Sequence, residues 1–221
     1  MDATLLLDLD GTLVDTVPDL LASLNRLAGS LGLPAFTAAE VIPMIGDGAA
    51  VLVRRAMAAR GREATQADIQ FLLDDYTAHV ADGSRLFPGV EPTLRAMAAD
   101  GWRFAVCTNK PVVPARELLA SLGVLELFAA VGGGDSYRTR KPDPKHLLAT
   151  LADAGGRVDA AVMVGDHHND VQAAAGAGVP CIFAAWGYGA APAGVAATAQ
   201  DFAEVARLAP GLLAPGLLGR G

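Results

Sequence analysis

A chain of 221 residues with a formal net charge of −7 is poorly suited to general nucleic-acid binding, which requires a basic face, and any anion it holds must meet positive potential created locally. Hydrophobic residues make up 52% and aromatics only 5%, which suits one α/β domain with a smaller companion and a core of small aliphatic side chains. The apolar stretches are short and broken by Gly, Pro or charge, and Met1-Asp2-Ala3 carries no basic region. No membrane span, membrane partner or signal peptide is therefore expected, and Cys107 and Cys181 read as buried free thiols of a cytoplasmic protein.

In chain order, the first apolar run, Thr4 to Leu9, reads as a strand that empties into Asp8-Leu9-Asp10-Gly11-Thr12-Leu13-Val14-Asp15. Two carboxylates at the end of a buried strand are costly unless they have a task, and ligand sites of open α/β sheets lie just past the strands' carboxyl ends. From Thr16 to Phe87 no strand pattern is visible, and Asp19 to Leu31, Ala49 to Arg60 and Gln66 to Val80 read as helices. Thr16 is the expected N-cap of the first, with Asp19 completing something close to a capping box. An insert of this size can form a small domain. The expected division is a helical cap over residues 16–87 and a discontinuous core over 1–15 and 88–221, with Asp82-Gly83-Ser84 and Pro88-Gly89 as the return linker.

The rest alternates. Helices are expected at Glu91 to Ala99, Pro114 to Leu122, Pro144 to Asp153 and Asp170 to Ala177. Strands are expected at Arg103 to Cys107, Phe128 to Val131, Ala160 to Val164 and Val179 to Ala184. Alternation of this kind implies an α/β fold with a Rossmann-like, doubly wound parallel sheet. The end, Ala209 to Gly221, is rich in Leu, Gly and Pro and reads as a loosely held tail.

Three further polar segments stand at strand ends: Thr108-Asn109-Lys110, Lys141-Pro142, and Gly165-Asp166-His167-His168-Asn169-Asp170. Singly they read as a helix cap, a solvated charge and a turn. Together with Asp8 and Asp10, at the ends of parallel strands, they converge on one pocket. The chain has only three lysines, Lys110, Lys141 and Lys145, against fourteen arginines, so a lysine at position 141 suggests a need for a compact point charge.

The set, in this order across almost the whole chain, resembles the four signature motifs of the haloacid-dehalogenase superfamily. The resemblance implies Asp8 as nucleophile, Asp10 as general acid and base, Thr108 and Asn109 as phosphate-binding residues, and Lys141 as the phosphate clamp. It implies Mg²⁺ held by Asp8, Asp10 through its backbone carbonyl, Asp166 and Asp170. The insert looks like the helical cap of the subgroup that includes phosphoglycolate phosphatases. Ile45 to Leu52 resembles that subgroup's Ile-Gly-x-Gly segment, which makes Gly46 and Gly48 candidate substrate-binding positions. Val131 to Asp135 and Trp186 to Gly189 are similar to further segments of it.

The chemistry agrees with these assignments. Phosphate-monoester hydrolysis is among the slowest of biological reactions in water, and a covalent route divides it into two easier steps. Asp10 favours a phosphoryl substrate over dehalogenation, and the absence of any lysine from Thr16 to Phe87 removes the phosphonate-cleaving branch, which needs one for a Schiff base. The expected function is Mg²⁺-dependent hydrolysis of a small-molecule phosphate ester by a monomer or homodimer, with 2-phosphoglycolate as the leading substrate. The alternatives are a sugar-phosphate phosphatase, including one for N-acetylmuramic acid 6-phosphate, or a sugar-phosphate mutase. A catalytically dead module on the same fold is disfavoured because every motif position is intact. The substrate carboxylate is expected to meet the helix N-terminus near Ala49, with Arg54 and Arg55 on that helix as candidate partners. His167 and His168 are expected at the pocket rim or in solvent rather than on a transition metal, because the other ligands are hard oxygens.

Overall fold

The structure, a computed structural model, describes residues 3–213. Strand β1 spans Thr4–Leu7, β2 Val14–Asp15 and β3 Arg85–Leu86, and between β2 and β3 lie helices α1 (Val17–Ser30), α2 (Ala38–Val41), α3 (Ala49–Ala59) and α4 (Gln66–Ala78). There follow α5 (Val90–Ala99), β4 (Arg103–Cys107), α6 (Val112–Ser121), β5 (Phe128–Gly132), α7 (Pro144–Asp153) and β6 (Ala161–Gly165). The described chain closes with α8 (His168–Ala177), β7 (Cys181–Ala184), β8 (Ala197–Ala199) and α9 (Phe202–Leu208).

The six long-range strands form one parallel sheet in the order β5-β4-β1-β6-β7-β8. β1 is central and lies between β4 and β6, with Leu7 opposite Val106 on one side and Val164 on the other. Successive side chains of a strand point to opposite faces, and both faces are buried here. Leu5 and Leu7 pack with Leu94, Leu118 and Phe202 on one face, whereas Leu6 packs with Leu147, Leu151 and Val171 on the other. This explains why the strands read as continuous apolar runs rather than alternating ones. With the strands parallel, the segments after β1, β4 and β6 emerge at one edge, on the two sides of the switch between β1 and β6 where ligands bind in such sheets.

The helices between β2 and β3 have a core of their own, in which Leu24, Val41, Val53, Met57, Leu72 and Tyr76 are buried. The chain enters and leaves this cluster through the β2–β3 ribbon, with Val14 opposite Leu86 and Asp15 opposite Arg85. The helix start at Thr16 differs from expectation: the Thr16 side chain caps nothing. Asp19 instead accepts hydrogen bonds from the backbone N–H groups of Gly83 (2.7 Å) and Ser84 (2.9 Å), so the spacing that resembles a capping box serves a clasp on the return segment. Capping boxes do form at Thr37 with Glu40 and at Thr65 with Asp68. The expected tail is ordered as far as the structure describes it: a turn over Ala209–Leu212 follows α9, and Ala209 and Leu213 are buried in the main core. Residues 214–221 lie outside the described residues.

Candidate active site

Asp8 follows β1, and its backbone N–H donates to Val164 O (2.9 Å), so the sheet ladder itself fixes where the carboxylate starts. Asp8 is buried, and Lys141 Nζ lies 2.8 Å from its Oδ1 and 2.6 Å from Asp170 Oδ1. The other Asp170 oxygen accepts from the His167 backbone N–H (3.0 Å), so both Asp170 oxygens are engaged. Asp166 is oriented by three elements at once: Thr12 Oγ1 donates to Oδ1 (2.8 Å), the Tyr188 N–H donates to Oδ2 (2.8 Å), and β6 supplies the stem. Asp8, Asp166 and Asp170 are all buried, with carboxylate oxygens within 4.8 Å of one another.

Three carboxylates around one ammonium leave an excess of negative charge in a medium that penalises it. Burial first, and the Asp8 charge second, push the Asp166 carboxyl up to about 6. Burial drives Asp170 upward too, although Lys141 opposes it. Lys141 works against its own burial but is held above the ordinary lysine value by Asp170 and Asp8. Asp8 Oδ1, although beside the ammonium, makes no hydrogen bond of good geometry.

Thr108 follows β4, and its hydroxyl accepts from the Lys110 N–H (3.2 Å). Asn109 Nδ2 donates to Gly46 O (2.9 Å) and Lys141 O (3.1 Å), while its Oδ1 is buried without a partner. The Asn169 amide also reaches Gly46 O (3.3 Å) and donates to Asp47 Oδ1 (2.7 Å). The Gly46–Gly48 loop therefore rests on the strand ends at close range. Gly46 has φ +112°, and a Cβ there would stand 2.7 Å from the His167 ring; Gly48 has φ +86°, and a Cβ would stand 2.9 Å from the Asn109 carbonyl oxygen. His167 caps α8 and is half-buried, while His168 is exposed.

Between these parts lies a cavity of about 40 Å³, with Asp8, Asp10 and Thr108 on the sheet side and Ile45, Gly48 and Leu52 on the helical side. That is room for about three waters or a small polar head group. Its polar lining is drawn from two of the motifs, Asp8 and Asp10 after β1 and Thr108 to Lys110 after β4. Residues 5–184 match the family model of the haloacid dehalogenase-like hydrolases. The chain belongs to that family.

Among relatives of this hydrolase, a phosphoglycolate phosphatase of Agrobacterium fabrum is 44% identical over 82% of this chain and 79% of its own length. The crystal structure of a predicted phosphoglycolate phosphatase from Haemophilus somnus superposes with a TM-score of 0.84, at 30% identity, over 93% of this chain and 97% of that one. A mutant of CbbY from Rhodobacter sphaeroides, crystallised with xylulose-(1,5)bisphosphate, superposes with a TM-score of 0.80 at 25% identity, over 93% of this chain and 96% of that one.

Within this haloacid dehalogenase-like hydrolase, all the candidate motif residues come to one place except the two arginines. Arg55 pairs with Asp47 (2.6 Å) and donates to Met44 O, and Arg54 is exposed; neither lines the cavity. The cation that does line it is Lys110, whose Nζ lies 3.0 Å from Asp10 Oδ1 and 4.1 Å from the centroid of the Tyr76 ring. Burial works against this ammonium, but Asp10 and Tyr76 hold it above the ordinary lysine value. The sequence assigned Lys110 no role; its signal was the rarity of lysine. Thr12, Tyr188 and Asn169 were missed as well, because each acts on a partner remote in sequence.

Proposed function

We propose that the chain is a phosphatase that hydrolyses a small phosphate monoester through an aspartyl-phosphate on Asp8, with 2-phosphoglycolate as substrate. The observation that carries the reading is the buried Asp8 carboxylate beside Lys141, at the floor of a cavity that also holds Asp10. Asp8 attacks phosphorus and displaces the alkoxide. Asp10, at the same cavity, delivers a proton to the leaving oxygen and later takes one from the water that attacks the phosphoenzyme. Lys141 offsets the charge that spreads over the phosphoryl oxygens. Its position is held by Asp170, whose oxygens are both engaged. Asn109, through its amide, ties the Lys141 loop to Gly46, and phosphate contact falls to Thr108 and the backbone around it.

The donor set fits Mg²⁺. The ligands are hard oxygens, one of them lacks a hydrogen bond, and Asp166 carries a raised pKa that a cation would relieve. Asp8, Asp166 and the Asp10 carbonyl would hold the ion, with Asp170 beside them, and its charge would lessen the repulsion between nucleophile and phosphate dianion.

The division into a core of residues 1–15 and 88–221 and a cap of 16–87 is part of this proposal. It is supported by the separate helical core and by the ribbon through which the chain enters and leaves it. No described helix is long and apolar enough to cross a membrane. A cytoplasmic enzyme, monomeric or homodimeric, acting on a metabolite and on neither nucleic acid nor membrane, remains the reading.

The choice of 2-phosphoglycolate rests on the relatives' name and on the small cavity. A sugar phosphate is the second reading, favoured by the similarity to CbbY in its complex with a sugar bisphosphate. A steady-state screen of phosphate esters with Mg²⁺ tests both. Phosphoglycolate should give the highest kcat/KM. A sugar phosphate a hundredfold better, about 3 kcal/mol in transition-state binding, would replace it.

A further inference from the structure

The cavity wall opposite the carboxylates is apolar: Leu20, Ile45, Leu52 and Leu72 come from the helical insert, and Pro111 and Pro114 from the segment after β4. A leaving group that carries a negative charge loses its hydration against such a wall unless a cation meets it. Arg54 and Arg55 do not reach the cavity. The N-terminus of α3 does, through Gly48 and Ala49, but a helix end offers only partial charge. Among the described lining residues the single cation is Lys110, whose side chain is 5% exposed. Asp10 takes one of the three donors that an ammonium carries. Beside it the Tyr76 hydroxyl is buried, and Lys110 Nζ stands 4.1 Å from the centroid of its ring. A buried full charge and a buried aromatic hydroxyl thus belong to two residues that line one small space.

We propose that Lys110 and the Tyr76 hydroxyl form the receptor for a carboxylate on the leaving group, and so make this site selective for phosphate esters of small hydroxy acids. The inference rests on the phosphatase reading above and adds the residues that set its specificity. The positions agree with the bond count. Asp10 serves the leaving oxygen, and Lys110 Nζ stands 3.0 Å from its carboxylate. In an ester of a 2-hydroxy acid the carboxylate carbon is one carbon removed from that oxygen, which keeps it close to the group beside Asp10. An ester with a neutral leaving group offers the ammonium no second anion beside Asp10, and that is the source of discrimination.

The test compares two esters that differ in the carboxylate alone, 2-phosphoglycolate and 2-hydroxyethyl phosphate. Their binding is measured by calorimetry on the Asp8→Asn protein with Mg²⁺, and their kcat/KM on the protein with Asp8 intact. Lys110→Met should lower the ratio of phosphoglycolate to hydroxyethyl phosphate by at least about tenfold in both measurements, whatever it does to the two esters jointly. Lys110→Arg should keep most of the ratio, and Tyr76→Phe should lose a smaller part of it, chiefly through KM. If Lys110→Met does not fold, Lys110→Gln carries the same test. A ratio within twofold of the unsubstituted protein in the Met or Gln variant overturns the inference and leaves the phosphatase reading standing. Binding discrimination that depends on Lys110, in a protein that releases phosphate from no ester, does the reverse.

Discussion

Lys141→Met is the substitution whose cost the structure sets most directly. The ammonium is almost wholly buried, 1% exposed, and stands 2.8 Å and 2.6 Å from two carboxylates that are themselves buried. Removing one partner of a buried ion pair strands the other charge and costs about 3–5 kcal/mol. Here two carboxylates are stranded, with Asp166 nearby. A domain of this kind has only about 5–15 kcal/mol to lose. The protein can lessen the cost by taking up protons, and the sign follows. Asp170 already has a raised pKa in the folded state, and without Lys141 it rises further. A folded state that binds more protons than the unfolded one loses stability as pH rises. The deficit of Lys141→Met against the unsubstituted protein should therefore be largest near pH 8 and shrink towards pH 5. Urea unfolding at both pH values with a chelator present measures it, and Mg²⁺ at pH 8 should restore part of the loss. A deficit below about 1 kcal/mol at pH 8, or one equal at both pH values, would refute the account of Lys141 as the counter-charge of this cluster.

Other substitutions probe the remaining parts. Asp8→Asn should unfold like the unsubstituted protein and show no turnover, since an amide cannot form the acyl phosphate; turnover after deamidation is excluded by mass spectrometry would end the mechanism. Asp10→Asn should lose most activity yet trap phosphate on Asp8 from an ester with a good leaving group, detectable as an added phosphoryl mass. Chelation should silence the enzyme and Mg²⁺ restore it, with Ca²⁺ inhibiting because its looser shell permits bidentate binding by Asp8; full rescue by Zn²⁺ that is lost in His167→Ser would contradict an oxygen-only site. Gly46→Val forces a side chain onto the His167 ring at a backbone angle that costs a β-branched residue about 1–3 kcal/mol, so its melting temperature should fall by several degrees and its KM for phosphoglycolate should rise; an unchanged KM in the folded variant would show that the loop need not seat closely.

The parts legible in the sequence were those set by local pattern. The buried strands announced themselves as apolar runs, and the helix over Pro144–Asp153 coincides with expectation residue for residue. Thr108 and Asp166 were legible because parallel strands fix their ends at one edge, and Lys141 because it stands just before the helix that begins at Pro144. What failed was whatever depends on a partner far along the chain. Asp19 had the spacing of a capping residue, yet Ser84, distant in sequence, takes its carboxylate. Arg54 and Arg55 lay on the right helix but on its outer side; the apolar stripe of Leu52, Val53, Ala56 and Met57 faces the core, and its spacing already places both arginines away from it. The β2–β3 ribbon and β8 are two and three residues long, too short for any period to show. Lys110 was visible only as a rarity, since burial next to Asp10 is a tertiary fact.

The β2–β3 ribbon has a further consequence. Its strands run antiparallel with Asp15 opposite Arg85, so the two points at which the backbone departs and comes back stand about 5 Å apart. A tight two-residue turn spans such a gap. Of the hydrophobic residues from 16 to 84, Val80 and Ala81 join the main apolar core, both only partly buried, while the Gly46–Asp47 loop is held to it by hydrogen bonds from Asn109 and Asn169. The ribbon thus brings the two ends of the helical insert to neighbouring positions, so the length of chain between Asp15 and Arg85 is set independently of the strand order of the sheet.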